Sequence, residues 1–170
     1  MTRQKTAVGQ TKRMSADTSI RIHATLVSID RADGGELGAM FLGPPGSGKS
    51  DLALRLIHDG ALLVADDQVD VSFGKGGLWG AAPSNIAGLI EARGIGLIHL
   101  PFSDGVRIAA VFDLTPGTAI ERLPERRWYQ PPQTFRARGG ALRIPLYALN
   151  ALEPSAPAKV TLALLGKVEG

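Results

Sequence analysis

Residues 41–50 read FLGPPGSGKS and fit the pattern Gly-x-x-x-x-Gly-Lys-Ser at Gly43, Gly48, Lys49 and Ser50. Successive backbone N–H groups converge on phosphate oxygens only where the chain passes through conformations that glycine tolerates. Gly43, Gly46 and Gly48, interleaved with Pro44, Pro45 and Ser47, supply that freedom. Lys49 offers a point charge to the outer phosphates, and Ser50 can place a hydroxyl on Mg²⁺ while opening a helix whose N-terminal dipole favours an anion. Such a loop works only with a strand before it and a helix after it. The run LGAMFL (37–42) ends at the first glycine, as a buried parallel strand does. SDLALRLIHDG (50–60) puts Leu52, Leu56 and Ile57 on one helical face with Ala53 beside them, and Gly60 suits the position just past the helix end.

A chain of 170 residues is long enough for one domain with a real core. It contains no cysteine, which excludes disulfides, thiolate zinc sites and cysteine nucleophiles and is compatible with a cytoplasmic setting. No apolar stretch approaches the roughly eighteen residues of a membrane span, so no membrane association is expected. The net charge of +3 owes much to Arg3, Lys5, Lys12 and Arg13. These lie in a polar N-terminal stretch without the apolar segment of a secretory signal, and it reads as a solvated arm rather than a nucleic-acid-binding one. The expected organisation is a disordered basic arm over 1–20, a nucleotide-binding domain over 21–150, and a tail over 151–170 whose structure the pattern leaves open.

Several further runs read as strands: IHATLVSID (22–30), ALLVADD (61–67), VDVSF and LWGAA joined by GKGG, GLIHLPF (96–102) and VRIAAVFDL (106–114). Beyond Leu123 the chain is rich in Pro and Arg and has little periodicity. The fold class expected is a mixed, β-rich α/β domain with few helices, carrying the phosphate loop on a sheet. Asp66 and Asp67 fall at the carboxyl end of their apolar run, where ligands bind in open α/β sheets. If that strand lies beside the loop strand, the pair faces the metal and the γ-phosphate. Adjacent acids on a strand point to opposite faces, so one would serve the metal or its waters and the other would accept a hydroxyl proton from a phosphoryl acceptor. Asp113, which ends VRIAAVFD, is a competing metal-supporting acid.

GPPGSGKSDLALRLIHDGALLVADDQV followed by IEARGIGLIHL resembles HPr kinase/phosphorylase, a bacterial family that phosphorylates and dephosphorylates a serine on an HPr-type phosphocarrier protein. The resemblance spans roughly 22–125, and LVADD with Glu-x-Arg-Gly-x-Gly is far more specific than the loop alone. It implies the HPr kinase catalytic-domain fold, ATP and Mg²⁺ as cofactors, the phosphocarrier as partner and a homo-oligomer, a hexamer being the family's form. It also implies roles: Lys49 binds phosphate, Ser50 and Glu91 ligate Mg²⁺, Asp66 neighbours the metal, and Asp67 is the catalytic aspartate. His23 matches the family's active-site histidine, with Ala24 where the family has glycine, and Arg122 matches a second-half catalytic arginine, for which Arg126 and Arg127 are alternatives. His58 and His99 receive no role.

This chain departs from the family in two places. Only some twenty polar residues precede the matching region, where family members commonly carry another domain. After Ile144 and Pro145 comes LYALN, without the Arg, Lys or Gly of the family's dephosphorylating loop. Two other readings stand beside the protein kinase: a small-molecule kinase, with the Arg-dense ERLPERRW as a lid, and an ATP-sensing module without turnover.

Overall fold

The computed structural model describes residues 19–136 and 142–166, so all but the end of the expected N-terminal arm lies outside it. Among the described residues eleven strands occur in chain order: β1 (Ser19–His23), β2 (Thr25–Asp30), β3 (Glu36–Leu42), β4 (Leu62–Ala65), β5 (Gln68–Gly74), β6 (Gly77–Ala81), β7 (Leu89–Ala92), β8 (Gly96–His99), β9 (Val106–Leu114), β10 (Arg127–Trp128) and β11 (Pro145–Leu149). Helix α1 (Lys49–His58) follows β3, the single-turn α2 (Gln133–Arg136) follows β10, and α3 (Ala156–Leu165) comes last. A mixed, sheet-rich α/β domain with few helices is what the residue pattern predicts, and the structure has that character.

The main sheet runs β1-β5-β6-β9-β3-β2-β4, with β11 added to β9 and β10 to β11, while β7 and β8 form a separate hairpin. Strand β3 lies parallel to β9 on one side and antiparallel to β2 on the other, and β4 is the next strand beyond β2. The central strands bury both faces, which is why they read as unbroken apolar runs rather than alternating ones. Ala39 and Phe41 of β3 join Val27, Phe112, Leu52 and Leu56 under the helices, whereas Met40 joins Leu26, Val69, Leu78 and Ile108 on the other side.

One irregularity in β9 has a consequence for the site. Its register against β3 shifts between Gly38, opposite Ile108, and Ala39, opposite Ala110, leaving Ala109 as an extra residue. A Cβ on Gly38 would lie 2.7 Å from Val106 Cγ1 and 2.8 Å from the Arg107 carbonyl oxygen, so a side chain at that point would push the strands apart. Before the bulge, Val106 and Ile108 belong to the cluster away from α1; after it, Ala110, Phe112 and Leu114 pack on the α1 side. Asp113, alternating with Phe112 and Leu114, is thereby turned to the face away from α1.

One segment differs from expectation, and another that the sequence pattern left open acquires a structure. The run 22–30 is not one strand: it breaks at Ala24, because β1 pairs with β5 whereas β2 pairs with β3 and β4. The segment after 150 contains a helix. Pro157 in the first turn of α3 suits a helix start, and Ala156 and Val160 are buried in the core against α1 and the sheet. Apolar residues on nearly all sides of APAKVTLALL hide the amphipathic period that would have announced it. Helix α1 ends as the sequence suggests: Gly60, at φ 107°, donates its N–H to Ile57 O at 3.0 Å and Ala61 donates to Leu56 O at 3.0 Å, satisfying carbonyls of the last turn.

Candidate phosphate-binding site

The loop 43–48 leaves the carboxyl end of β3 and enters α1 at Lys49. Gly43 and Gly48 have φ 150° and 92°, and a Cβ on Gly43 would meet Ser47 Oγ at 2.6 Å, so both positions need glycine for backbone and space alike. The N–H groups that open α1 have no earlier carbonyl to bond and form a cradle for an anion. Lys49 is almost fully buried, and its Nζ donates to the carbonyls of Gly43 at 2.9 Å and Pro44 at 3.1 Å, inside the loop it serves. Burial pushes its pKa below the ordinary lysine value, with the charges of Asp67 and Asp66 acting in the opposite direction.

The paired acids sit just past β4, not on it, and this changes their geometry. The strand ends at Ala65; Asp66 and Asp67 lie in the bend that follows, so the opposed faces expected of adjacent strand residues do not apply. Nor does β4 pair with the loop strand, since β2 lies between them. Asp66 nevertheless reaches the loop helix. Its Oδ1 accepts from Ser50 Oγ at 2.8 Å and from Thr25 Oγ1 at 2.8 Å, and its Oδ2 accepts from the Glu91 N–H at 3.3 Å. The carboxylate that meets Ser50 is therefore that of Asp66. Asp113, though its strand adjoins β3 with Leu42 opposite it, faces the other way.

Asp67 has φ 65°, the left-handed region that a non-glycine residue occupies at a cost. That turn aims its carboxylate at His23, whose Nδ1 lies 3.0 Å from Oδ1, and the two side chains are 66% and 45% exposed respectively. The Ala24 N–H donates to the Asp67 carbonyl at 3.2 Å, tying the break between β1 and β2 to the acidic bend. Ser50, Asp66, Asp67, His23 and Lys49 thus converge from three segments of the chain. Glu91 touches the group through its main chain, its carboxylate exposed on β7. Arg122 is exposed in the loop leading to β10, outside the hydrogen bonds that gather the site.

Thr25 is a residue of the candidate site that sequence reasoning passed over. It is wholly buried and orients Asp66, and the available signal was a hydroxyl residue at the head of the strand, just before the apolar pair Leu26 and Val27. The residues present suit a magnesium-bound nucleotide. Ser47 Oγ is buried inside the loop without a partner, Lys49 is parked on carbonyls, and Ser50 and Asp66 form a hard oxygen pair. No group of three or more His, Asp or Glu side chains able to hold a metal occurs among the described residues. Magnesium at nucleotide sites draws most of its oxygens from phosphate and water, so a serine and a carboxylate are a sufficient protein share.

A glycine loop between a parallel strand and a helix, its lysine turned inward and the serine of the first helical turn bonded to an aspartate beyond a neighbouring strand, defines a P-loop domain. Residues 13–111, more than half of the chain, match the family described as HPr Serine kinase C-terminal domain, and the chain belongs to that family. It is 38% identical over 94 residues to an HPr kinase/phosphorylase of Clostridium tetani, covering 55% of this chain and 28% of that protein. It is 41% identical over 114 residues to an HPr kinase/phosphorylase of Caldanaerobacter subterraneus subsp. tengcongensis, covering 65% of this chain and 35% of that one. The chain therefore spans well under half the length of these relatives. The fold also matches the HPr(Ser) kinase/phosphatase from Coxiella burnetii, with a TM-score of 0.67 at 23% identity over 85% of this chain and 93% of that chain.

Proposed function

We propose that this domain is a Mg²⁺- and ATP-dependent protein-serine kinase whose substrate is an HPr-type phosphocarrier. The observation that carries the reading is the Ser50–Asp66 hydrogen bond on one side of the acidic bend and the Asp67–His23 pair on the other. Ser50 and Asp66 would hold the magnesium ion, which supplies charge neutralisation at the phosphates; Glu91, a further metal ligand by resemblance, supports the site here through its N–H. Lys49 exchanges its hold on the Gly43 and Pro44 carbonyls for phosphate oxygens. Asp67 accepts the proton of the acceptor serine as the serine oxygen bonds to the γ-phosphorus and the bond to the β-phosphate oxygen breaks. His23, with its Nδ1–H toward Asp67, orients that carboxylate. Arg122 is assigned by resemblance to charge stabilisation during transfer.

A protein substrate suits an exposed base better than a small metabolite does, and the Asp67 side chain is largely exposed. A concavity of ≈ 410 Å³ lined by Arg31, Leu37 and Leu164 lies at the other end of β3 and does not serve the loop. The stretch after Pro145 is strand β11, hydrogen-bonded to both β9 and β10, so the proposal is confined to the phosphorylating direction. A cytoplasmic location and assembly into a homo-oligomer belong to the same proposal; among the described residues no helix is long and apolar enough to cross a membrane.

The test is transfer from radiolabelled ATP and Mg²⁺ to a purified HPr-type carrier, with intact-mass analysis of the carrier and its serine-to-alanine variants. Label lost in one serine variant supports the reading. Binding of ATP without transfer overturns it in favour of a small-molecule kinase or a regulatory module.

A further inference from the structure

Arg55 joins the phosphate loop to a part of the chain nearly a hundred residues away. It lies on the second turn of α1, where Nη1 donates to the Glu153 carbonyl at 3.2 Å and Nη2 to the Ala151 carbonyl. The same guanidinium meets Asp51, one turn earlier on α1, with Nε at 3.1 Å and Nη2 at 3.0 Å. The turn it holds follows β11, at the end of the sheet where the loop begins. Asn150 shapes that turn from within, its Oδ1 accepting from the Leu152 N–H at 3.1 Å and its carbonyl from the Glu153 N–H at 3.3 Å. Ala151 is buried, and Leu152 is 76% exposed.

This turn forms a wall of the loop. A Cβ on Gly48 would lie 3.0 Å from Ala151 Cβ and 3.8 Å from Leu152 Cδ2. Gly48 is the last loop residue before Lys49, and its left-handed backbone sets the direction in which the first amides of α1 point. Glycine imposes little conformational preference of its own, so the loop depends on its neighbours to stay in shape.

We propose that Arg55 is a positioning residue for the phosphate-binding loop, clamping the turn 150–153 against Gly48 so that the loop is held ready for phosphate. The inference rests on reading residues 43–50 as a nucleotide site. A fork of planar N–H donors suits this task because it meets two carbonyls at once while α1 carries its base. Without the clamp the turn can move away, Gly48 loses its wall, and the loop populates conformations that do not bind. Apparent affinity falls in proportion to the competent fraction, so a fall of that fraction to about one tenth weakens binding about tenfold.

The competing explanation is that Arg55 only stabilises α1 through its ion pair with Asp51, and the two are separable. Asp51→Asn removes the pair and leaves both carbonyl bonds; Arg55→Met removes both. Calorimetric titration of the full chain with Mg-ATP, alongside backbone hydrogen exchange of residues 43–50 without nucleotide, reads the difference. The expected result is affinity weakened about tenfold and faster loop exchange in Arg55→Met. Asp51→Asn should match the wild type in both, and Arg55→Lys, a single-point donor, should fall between. Should Arg55→Met not fold, Arg55→Lys carries the test, with an expected loss of about threefold. Arg55 variants that bind within about twofold of wild type, or Asp51→Asn losing as much as Arg55→Met, would overturn the clamp. Wild-type protein that binds no Mg-ATP would instead remove the nucleotide reading itself, and the clamp with it.

Discussion

Replacing Asp66 by asparagine tests whether this carboxylate organises the site. It is largely buried and accepts from three donors: Thr25 Oγ1, Ser50 Oγ and the Glu91 N–H. Asparagine keeps one carbonyl oxygen for the two hydroxyls but puts an NH₂ where Oδ2 faces the Glu91 N–H, so donor meets donor. A hydrogen bond to a charged acceptor contributes about 1.5–3 kcal/mol, and a buried donor left without a partner costs about 1–3 kcal/mol. Some of this is offset by no longer burying a charge, so Asp66→Asn should lower stability by about 2 kcal/mol. Asp66→Ala strands all three donors and should lose about 4 kcal/mol, short of the simple sum because the bonds share one acceptor group. Urea unfolding at constant m-value measures both, and amide exchange at Glu91 should accelerate in each. Stability within about 0.5 kcal/mol of wild type in both variants, with Glu91 exchange unchanged, would refute the geometry.

Asp67→Gly should raise stability by about 0.5–1 kcal/mol, because φ 65° suits glycine, while abolishing phosphoryl transfer and sparing Mg-ATP binding. Thermal melts and the transfer assay check this together, and a destabilised variant would show that the left-handed backbone there is not strained. Lys49 gives a pH prediction: burial lowers its pKa, so between that value and the ordinary 10.5 the folded protein binds fewer protons than the unfolded chain. Stability contributed by this residue therefore rises with pH through that window, and the penalty is fully present below it. Subtracting the pH profile of Lys49→Met, which should also lose Mg-ATP binding, from that of wild type should leave a difference that climbs with pH. A flat or falling difference would contradict it.

Much of the architecture was legible because buried strands and an amphipathic helix write their periods into the chain. The boundaries of α1 and β9 follow directly from SDLALRLIHDG and VRIAAVFDL. Where periodicity is masked the sequence leaves the structure open, as at α3, which is apolar on nearly every side; the break at Ala24 was missed because it comes from β1 pairing with β5, a partner nothing local announces. The site divides in the same way. The sequence singles out nothing at Arg55, and only the return of the chain at 150–153 gives its guanidinium two carbonyls to hold.

What the sequence by itself determined is the presence of the loop: its glycines, lysine and serine lie within ten contiguous residues, and chain order places them between a strand and a helix. Which acid meets Ser50 was left to the tertiary structure. Asp66 and Asp113 each follow an apolar run of residues, and strand neighbourhood favours Asp113; the extra residue at Ala109 then turns Asp113 away from α1, while Thr25 and Ser50 close on Asp66. Side chains alternate with a period of two, so one bulged residue inverts the face of everything after it. That inversion depends on a register set between strands distant in the chain, and no local pattern of residues specifies it.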